Sequence, residues 1–134
     1  MKSTGRLLIV DDSEVVLDRI RLRLEREGYD VLTASEPIGA ARHLATCDLV
    51  ILDFHMPGMN GSEVLRSLKV AAARSRAMPL FFLYTGDKVI SHQYQQLGFD
   101  GGLINKGDDE SLVQQVSVAL RLAKLRGRSL RAPR

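Results

Sequence analysis

Four consecutive large apolar residues, Leu49, Val50, Ile51 and Leu52, end abruptly at a carboxylate, Asp53, and a turn-rich segment with Pro57, Gly58, Asn60 and Gly61 follows. A short unbroken apolar run between turn signals reads as a strand buried on both faces, the kind a parallel sheet requires. An acid where such a strand emerges stands at the carboxyl edge of the sheet, where open α/β folds bind ligands. The pattern recurs. The run from Arg6 to Val10 stops at Asp11 and Asp12, and Met78 to Tyr84 stops at Thr85, Gly86 and Asp87.

Helical patterns fill the intervals. Asp12 or Ser13 caps the first, with Glu14 in its first turn; Val16, Ile20 and Leu24 form one stripe at i, i+4, i+8, and Gly28 ends it. Tyr29 to Ala34 alternates, as a strand near a sheet edge does. Ser35, Glu36 and Pro37 open a second helix to about Thr46. Ser62 caps a third, with Val64, Leu65 and Leu68 inward, fading near Arg76. A fourth spans Lys88 to Leu97 and closes at Gly98. Gly102 to Asn105 is a short fifth strand ending in Lys106. Asp108, Asp109 and Glu110 then start a last helix through about Leu125. Five strand–helix repeats predict a doubly wound, flavodoxin-like parallel α/β sheet of order 2-1-3-4-5 with helices on both faces. Residues 5–126 form one domain and residues 127–134 a basic tail.

Composition narrows the classes. A chain of 134 residues, 45% hydrophobic and 26% charged, has the makeup of one soluble globular domain. No apolar run approaches the roughly eighteen residues of a membrane span, and the N-terminus lacks a signal-peptide pattern. The single cysteine, Cys47, fits a reducing cytoplasm and reads as a small core hydrophobe. Formal net charge is +3, but six cations and no acid follow residue 120, leaving −3 on residues 1–120. The basic character belongs to the tail, so the net positive charge is no evidence that the folded body binds nucleic acid, and direct binding is not expected. The tail carries no aromatic for base stacking.

Strand one ends at Asp11 and Asp12, strand three at Asp53, strand four at Thr85 and strand five at Lys106, all along one sheet edge. A lone Asp after a strand is usually a cap or turn residue; the whole set at successive strand ends is not a chance product. Three carboxylates against one lysine favour a cation, and hard oxygens with room for water suit Mg2+. A carboxylate beside a divalent ion and a lysine is equipped for phosphoryl transfer. Asp53 attacks phosphorus, Mg2+ and Lys106 offset the oxygen charge, and Thr85 donates its hydroxyl.

These residues (Leu8 to Asp12, Leu52 and Asp53, Met56 to Gly61, Thr85 with Gly86, and Lys106) give the chain its resemblance to the receiver domain of bacterial two-component response regulators, over residues 5–125. The resemblance implies that Asp53 takes phosphate from a histidine kinase or phosphotransfer protein. It implies that Asp11, Asp12, Asp53 and the backbone carbonyl of His55 hold Mg2+. Thr85 and Lys106 then relay phosphorylation to the face formed by helix four, strand five and helix five, where a downstream protein docks. The family pattern implies a cytoplasmic switch rather than a turnover enzyme, with homodimerisation on activation left open.

Three departures stand out. Gly107 replaces the proline that usually follows the lysine, and Gly102 and Leu103 stand where a switch aromatic is usual. His55, two positions after Asp53, is placed to overhang the phosphoryl site and affect acyl-phosphate lifetime. Two other readings stay open: an interaction module with altered or phosphorylation-independent switching, and the N-terminal part of a longer DNA-binding regulator. A flavodoxin-like cofactor site is disfavoured because Asp11 and Asp12 would repel a phosphate. An Asp-nucleophile phosphatase is disfavoured by His55 where a second acid would be needed.

Overall fold

The computed structural model describes residues 5–56, 58, 60–75, 79–104 and 107–130, with only the backbone of 126–130. Its strands are β1 (Arg6–Val10), β2 (Asp30–Ala34), β3 (Leu49–Asp53), β4 (Leu80–Thr85) and β5 (Gly101–Ile104). The helices are α1 (Glu14–Glu25), α2 (Pro37–Ala41), α3 (Gly61–Arg74), α4 (Lys88–His92) and α5 (Asp109–Leu130). All strand pairs are parallel and the order is β2-β1-β3-β4-β5, as the strand–helix alternation predicts.

The central strands read as continuous apolar runs because alternate side chains serve two cores. Leu7, Ile9, Leu49, Ile51, Phe82, Tyr84 and Leu103 pack against α1 and α5. Leu8, Val10, Val50, Leu52, Phe81 and Leu83 pack against α2 and α3. Phe81, Phe82 and Tyr84 are thus core, and buried Cys47 joins the second layer. Burial pushes its thiol up to about 11, so the sulfur is an inert hydrophobe.

Register aligns the strand ends. Val10 pairs with Leu52, Leu52 with Leu83, Asp53 with Tyr84 and Thr85 with Ile104. Asp11 and Asp53 therefore leave the sheet side by side, with Thr85 one residue further along the neighbouring strand.

Several boundaries differ from the sequence expectation. The second helix stops at Ala41 and resumes as a 3-10 turn, Leu44–Thr46; Gly39 within it weakens helix formation. Asn60, not Ser62, caps α3, its Oδ1 accepting from the N–H groups of Ser62 at 2.9 Å and Glu63 at 3.3 Å. The third helix ends at Arg74, before residues 76–78, which lie outside the described set. Gln93 and Tyr94 donate three residues back, to Ile90 and Ser91 carbonyls, which tightens the chain into turns after His92 instead of carrying α4 to Leu97. At the other end of the chain, α5 continues past Leu125 to Leu130, into the expected tail.

Candidate functional site

Asp11 follows β1 directly and is buried. Its Oδ1 accepts from the N–H of Ser13 at 2.9 Å, and Ser13 in turn caps α1 by accepting from Val16. The β1-to-α1 turn thus fixes Asp11 and leaves Asp12 exposed beside it. Asp53 is the last residue of β3, half-buried, with Oδ1 accepting from the N–H of His55 at 3.2 Å. One carboxylate oxygen from each of Asp11, Asp12 and Asp53 lies within 4.8 Å of the others.

Like charges at that separation are unfavourable without a counter-ion. Burial, and then the charges of Asp53 and Asp12, raise the Asp11 carboxyl to about 6 against the lowering bond from Ser13. Burial raises Asp53 as well, with Asp12's charge adding to it and the His55 N–H opposing. A cluster that resists ionisation in isolation, with hard oxygen donors and one exposed member, fits a hydrated divalent cation.

Thr85 is buried at the end of β4. Its Oγ1 accepts from the N–H of Asp87 at 3.1 Å, and Asp87 caps α4 by accepting from Val89 and Ile90. The same Oγ1 lies 3.2 Å from Nε2 of His55, whose ring sits edge-on to Phe54 at 5.5 Å. His55, expected to overhang the site, holds the Thr85 hydroxyl directly. That contact joins residues 30 apart and leaves no trace in the sequence.

The loop after Asp53 returns over Phe54. A Cβ at Gly61 would meet the Phe54 ring at 2.7 Å and its carbonyl oxygen at 3.2 Å, so only glycine admits this close approach. Met56 is buried in the second core layer and anchors the loop.

Lys106, expected to close the site, lies outside the described residues, as does Asn105. What precedes and follows them is defined. Gln115 of α5 grips the end of β5, Oε1 accepting from Ile104 N–H at 2.8 Å and Nε2 donating to Ile104 O at 2.9 Å. A side chain thereby supplies the missing neighbour strand at a partly buried sheet edge. Gln115 was not foreseen, since a glutamine in a helix has no distinguishing pattern. Gly107 has φ of +83°, a left-handed conformation that proline cannot take. The turn into α5 therefore uses glycine chemistry where the family commonly uses proline. Leu103 is buried against α5 residues, and a Cβ at Gly102 would meet Oγ of Ser91 at 2.7 Å. Position 102 has no room for an aromatic.

A doubly wound sheet with an acid triad at its carboxyl edge and a buried threonine beside it defines a receiver-type phosphoacceptor domain. The model of the response regulator receiver domain matches residues 7–117, and the chain belongs to that family. Protein PilH of Pseudomonas aeruginosa is 31% identical over 120 residues, covering 87% of this chain and 98% of PilH. The alkaline phosphatase synthesis transcriptional regulatory protein PhoP of Bacillus subtilis is 39% identical over 66 residues, which are 48% of this chain and 28% of PhoP. The match to the Vibrio cholerae CAI-1 autoinducer sensor kinase/phosphatase CqsS, 27% identical, covers 84% of this chain and 17% of CqsS. This chain therefore spans well under half of those two longer relatives.

A receiver domain protein from Clostridium thermocellum superposes with TM-score 0.74 at 26% identity, covering 94% of this chain and 98% of that one. The Vibrio cholerae chemotaxis protein CheY4 shares the fold at TM-score 0.73 and 22% identity, with 87% and 99% covered. The chain is thus a receiver domain with a phosphorylation-accepting role in two-component signalling. Such domains work between histidine kinases and downstream effectors. Among the described residues no helix is long and apolar enough to cross a membrane.

Proposed function

We propose that Asp53 is the phospho-acceptor. The observation that carries this reading is the triad: Asp53 shares one small volume with Asp11 and Asp12 at the sheet's carboxyl edge. A carboxylate oxygen of Asp53 attacks the phosphorus of a phosphohistidine. The new O–P bond forms as the N–P bond breaks, and the electron pair leaves with the donor imidazole. Asp11, Asp12, Asp53 and the His55 carbonyl would hold Mg2+, which when bound supplies charge neutralisation at the phosphoryl oxygens. Lys106 belongs to the same reading on its sequence position at the end of β5. The domain acts as a stoichiometric acceptor rather than a turnover enzyme, in the cytoplasm.

Thr85 supplies the relay. Its hydroxyl is held by His55 and by the Asp87 N–H that begins α4. A phosphoryl oxygen on Asp53 competes with His55 for that hydroxyl, so the arriving group is felt at the α4 cap. An aromatic switch is not needed for this route. The downstream partner docks on the α4–β5–α5 side. There Val118, Leu122 and Leu125 of α5 stand exposed at i, i+4, i+7, with Val89 exposed on α4.

The test is intact mass after incubation with acetyl phosphate. A gain of about 80 Da that requires Mg2+ and is absent in Asp53→Asn is the expected result for one phosphoryl group. No gain from acetyl phosphate or from a phosphohistidine donor would leave an interaction module switched by binding alone.

A further inference from the structure

On the sheet face opposite α1 and α5, α3 and the turns between α4 and β5 bound an open groove of about 560 Å3. Leu65 and Leu97 form its floor; Val70 and Ala73 are exposed along its α3 wall. Arg66 and Lys69 stand on that wall, exposed, and the Lys69 ammonium reaches across to the Gly98 carbonyl. Arg66 has no ion pair or side-chain hydrogen bond among the described residues.

The contrast with α1 is informative. That helix pairs its solvent-facing charges at i,i+4, Arg21 with Glu25 within the helix and Arg23 with Glu27 in the turn that follows. Among the described residues α3 has no such pair, although Glu63 lies three positions before Arg66. Along the chain between Asp53 and Asp87 the sole acid is Glu63, against Arg66, Lys69, Arg74 and Arg76. Residues 1–120 as a whole carry −3. The groove is thus a cationic, apolar-floored site on an acidic body.

We propose that this groove docks an acidic amphipathic helical segment of a partner protein. Its apolar side chains lie on Leu65, Val70, Ala73 and Leu97, and its carboxylates reach Arg66 and Lys69. Leu65 to Ala73 spans about two helical turns, enough for two or three anchors at i, i+3 or i+4 spacing. Charge complementarity selects the occupant. A second copy of this chain is a poorer occupant: the exposed Val15 and Leu22 of α1 share that helix with Asp18 and Glu25, both already paired to Arg21. Its acidic run is engaged, Asp109 and Glu110 by Arg19 and Arg23, and Asp108 by the N–H of Ser111. The surface is separate from the phosphoryl site and from the exposed stripe on α5.

The experiment is selection of a displayed library of random 16-residue peptides on the full chain, with binding of the recovered peptides measured by fluorescence anisotropy. Expected are peptides bearing Asp or Glu beside Leu, Ile or Phe at helical spacing. Their affinity falls at least tenfold in Arg66→Glu/Lys69→Glu and in the groove-filling Ala73→Trp, weakens with salt, and is unchanged in Val118→Ser/Leu122→Ser. Should the charge-reversed protein fail to melt cooperatively, Arg66→Gln/Lys69→Gln serves, with a smaller loss expected. Recovery of only basic or uncharged peptides, of peptides indifferent to these substitutions, or of none overturns the proposal. Binding of a single-stranded oligonucleotide that depends on Arg66 and Lys69, with no such peptide, overturns it in favour of nucleic acid.

Discussion

Asp11 shows how one side chain can be placed at a cost to the fold. Its carboxyl sits at about 6 in the folded chain, against an ordinary value of 3.8, because burial and two neighbouring acids oppose ionisation. The folded state therefore holds the proton more tightly than the unfolded chain, and stability falls as pH rises through that window. The shift corresponds to a penalty on the order of 3 kcal/mol once Asp11 is ionised. Without metal, Asp11→Asn is expected to be more stable than wild type above about pH 6. The difference should shrink as pH drops toward the ordinary carboxylate range. Urea titrations at several pH values measure this, and a difference independent of pH would remove burial of the charge as its cause. Thr85 makes the complementary prediction. Thr85→Val keeps the size and loses the hydroxyl, so acetyl-phosphate labelling of Asp53 should slow on the order of 100-fold, as for loss of one positioned donor. Thr85→Ser should retain most of the rate. Equal rates for the Val and Ser variants would take the hydroxyl out of the chemistry.

At the scale of elements, the edge strand β5 depends on a helix. Gln115 satisfies both backbone groups of Ile104, just before Asn105 and Lys106. Gln115→Leu leaves a donor and an acceptor without that partner at a partly buried edge, a loss of about 1–3 kcal/mol. It should also slow labelling of Asp53, because the residue before Asn105 and Lys106 is no longer tied to α5. The two readouts are a urea midpoint and the acetyl-phosphate rate. A stability loss with an unchanged rate would separate the clamp from the chemistry. The strands, α1 and α3 were legible in sequence to within a few residues because their apolar periods are strong. The fourth helix was not. Its continuation through Leu97 looked helical, yet three-residue-back bonds at Gln93 and Tyr94 tighten it into turns. Such choices depend on what packs beneath, here Phe99 and the buried face of β4.

For the whole molecule, five strands feed one edge, and the two helical layers are tied separately. Arg19 and Arg23 of α1 reach Asp109 and Glu110 at the start of α5. The exposed pairs contribute little individually, so the apolar layers on either face of the sheet carry the stability. Binding a cation at the triad should add to it by linkage. Mg2+ is expected to raise the melting temperature of wild type at neutral pH and to have little effect on Asp53→Asn or Asp11→Asn. An equal rise in all three proteins would place the ion elsewhere.

Chain order and apolar period by themselves determined the sheet, its strand order and the convergence of Asp11, Asp12, Asp53 and Thr85 on one edge. A parallel sheet has only one edge on which its strands can end, so residues at strand ends need no coordinates to be brought together. The tertiary structure alone decided the contacts made across that edge. His55 grips Thr85, Gln115 closes β5, and Gly107 turns left-handed where proline was the family habit. It also decided that Arg66 and Lys69 share a groove with Leu97. The meetings of His55 with Thr85, Gln115 with Ile104, and Lys69 with Gly98 join positions distant in the chain through side-chain geometry, and no local propensity encodes them.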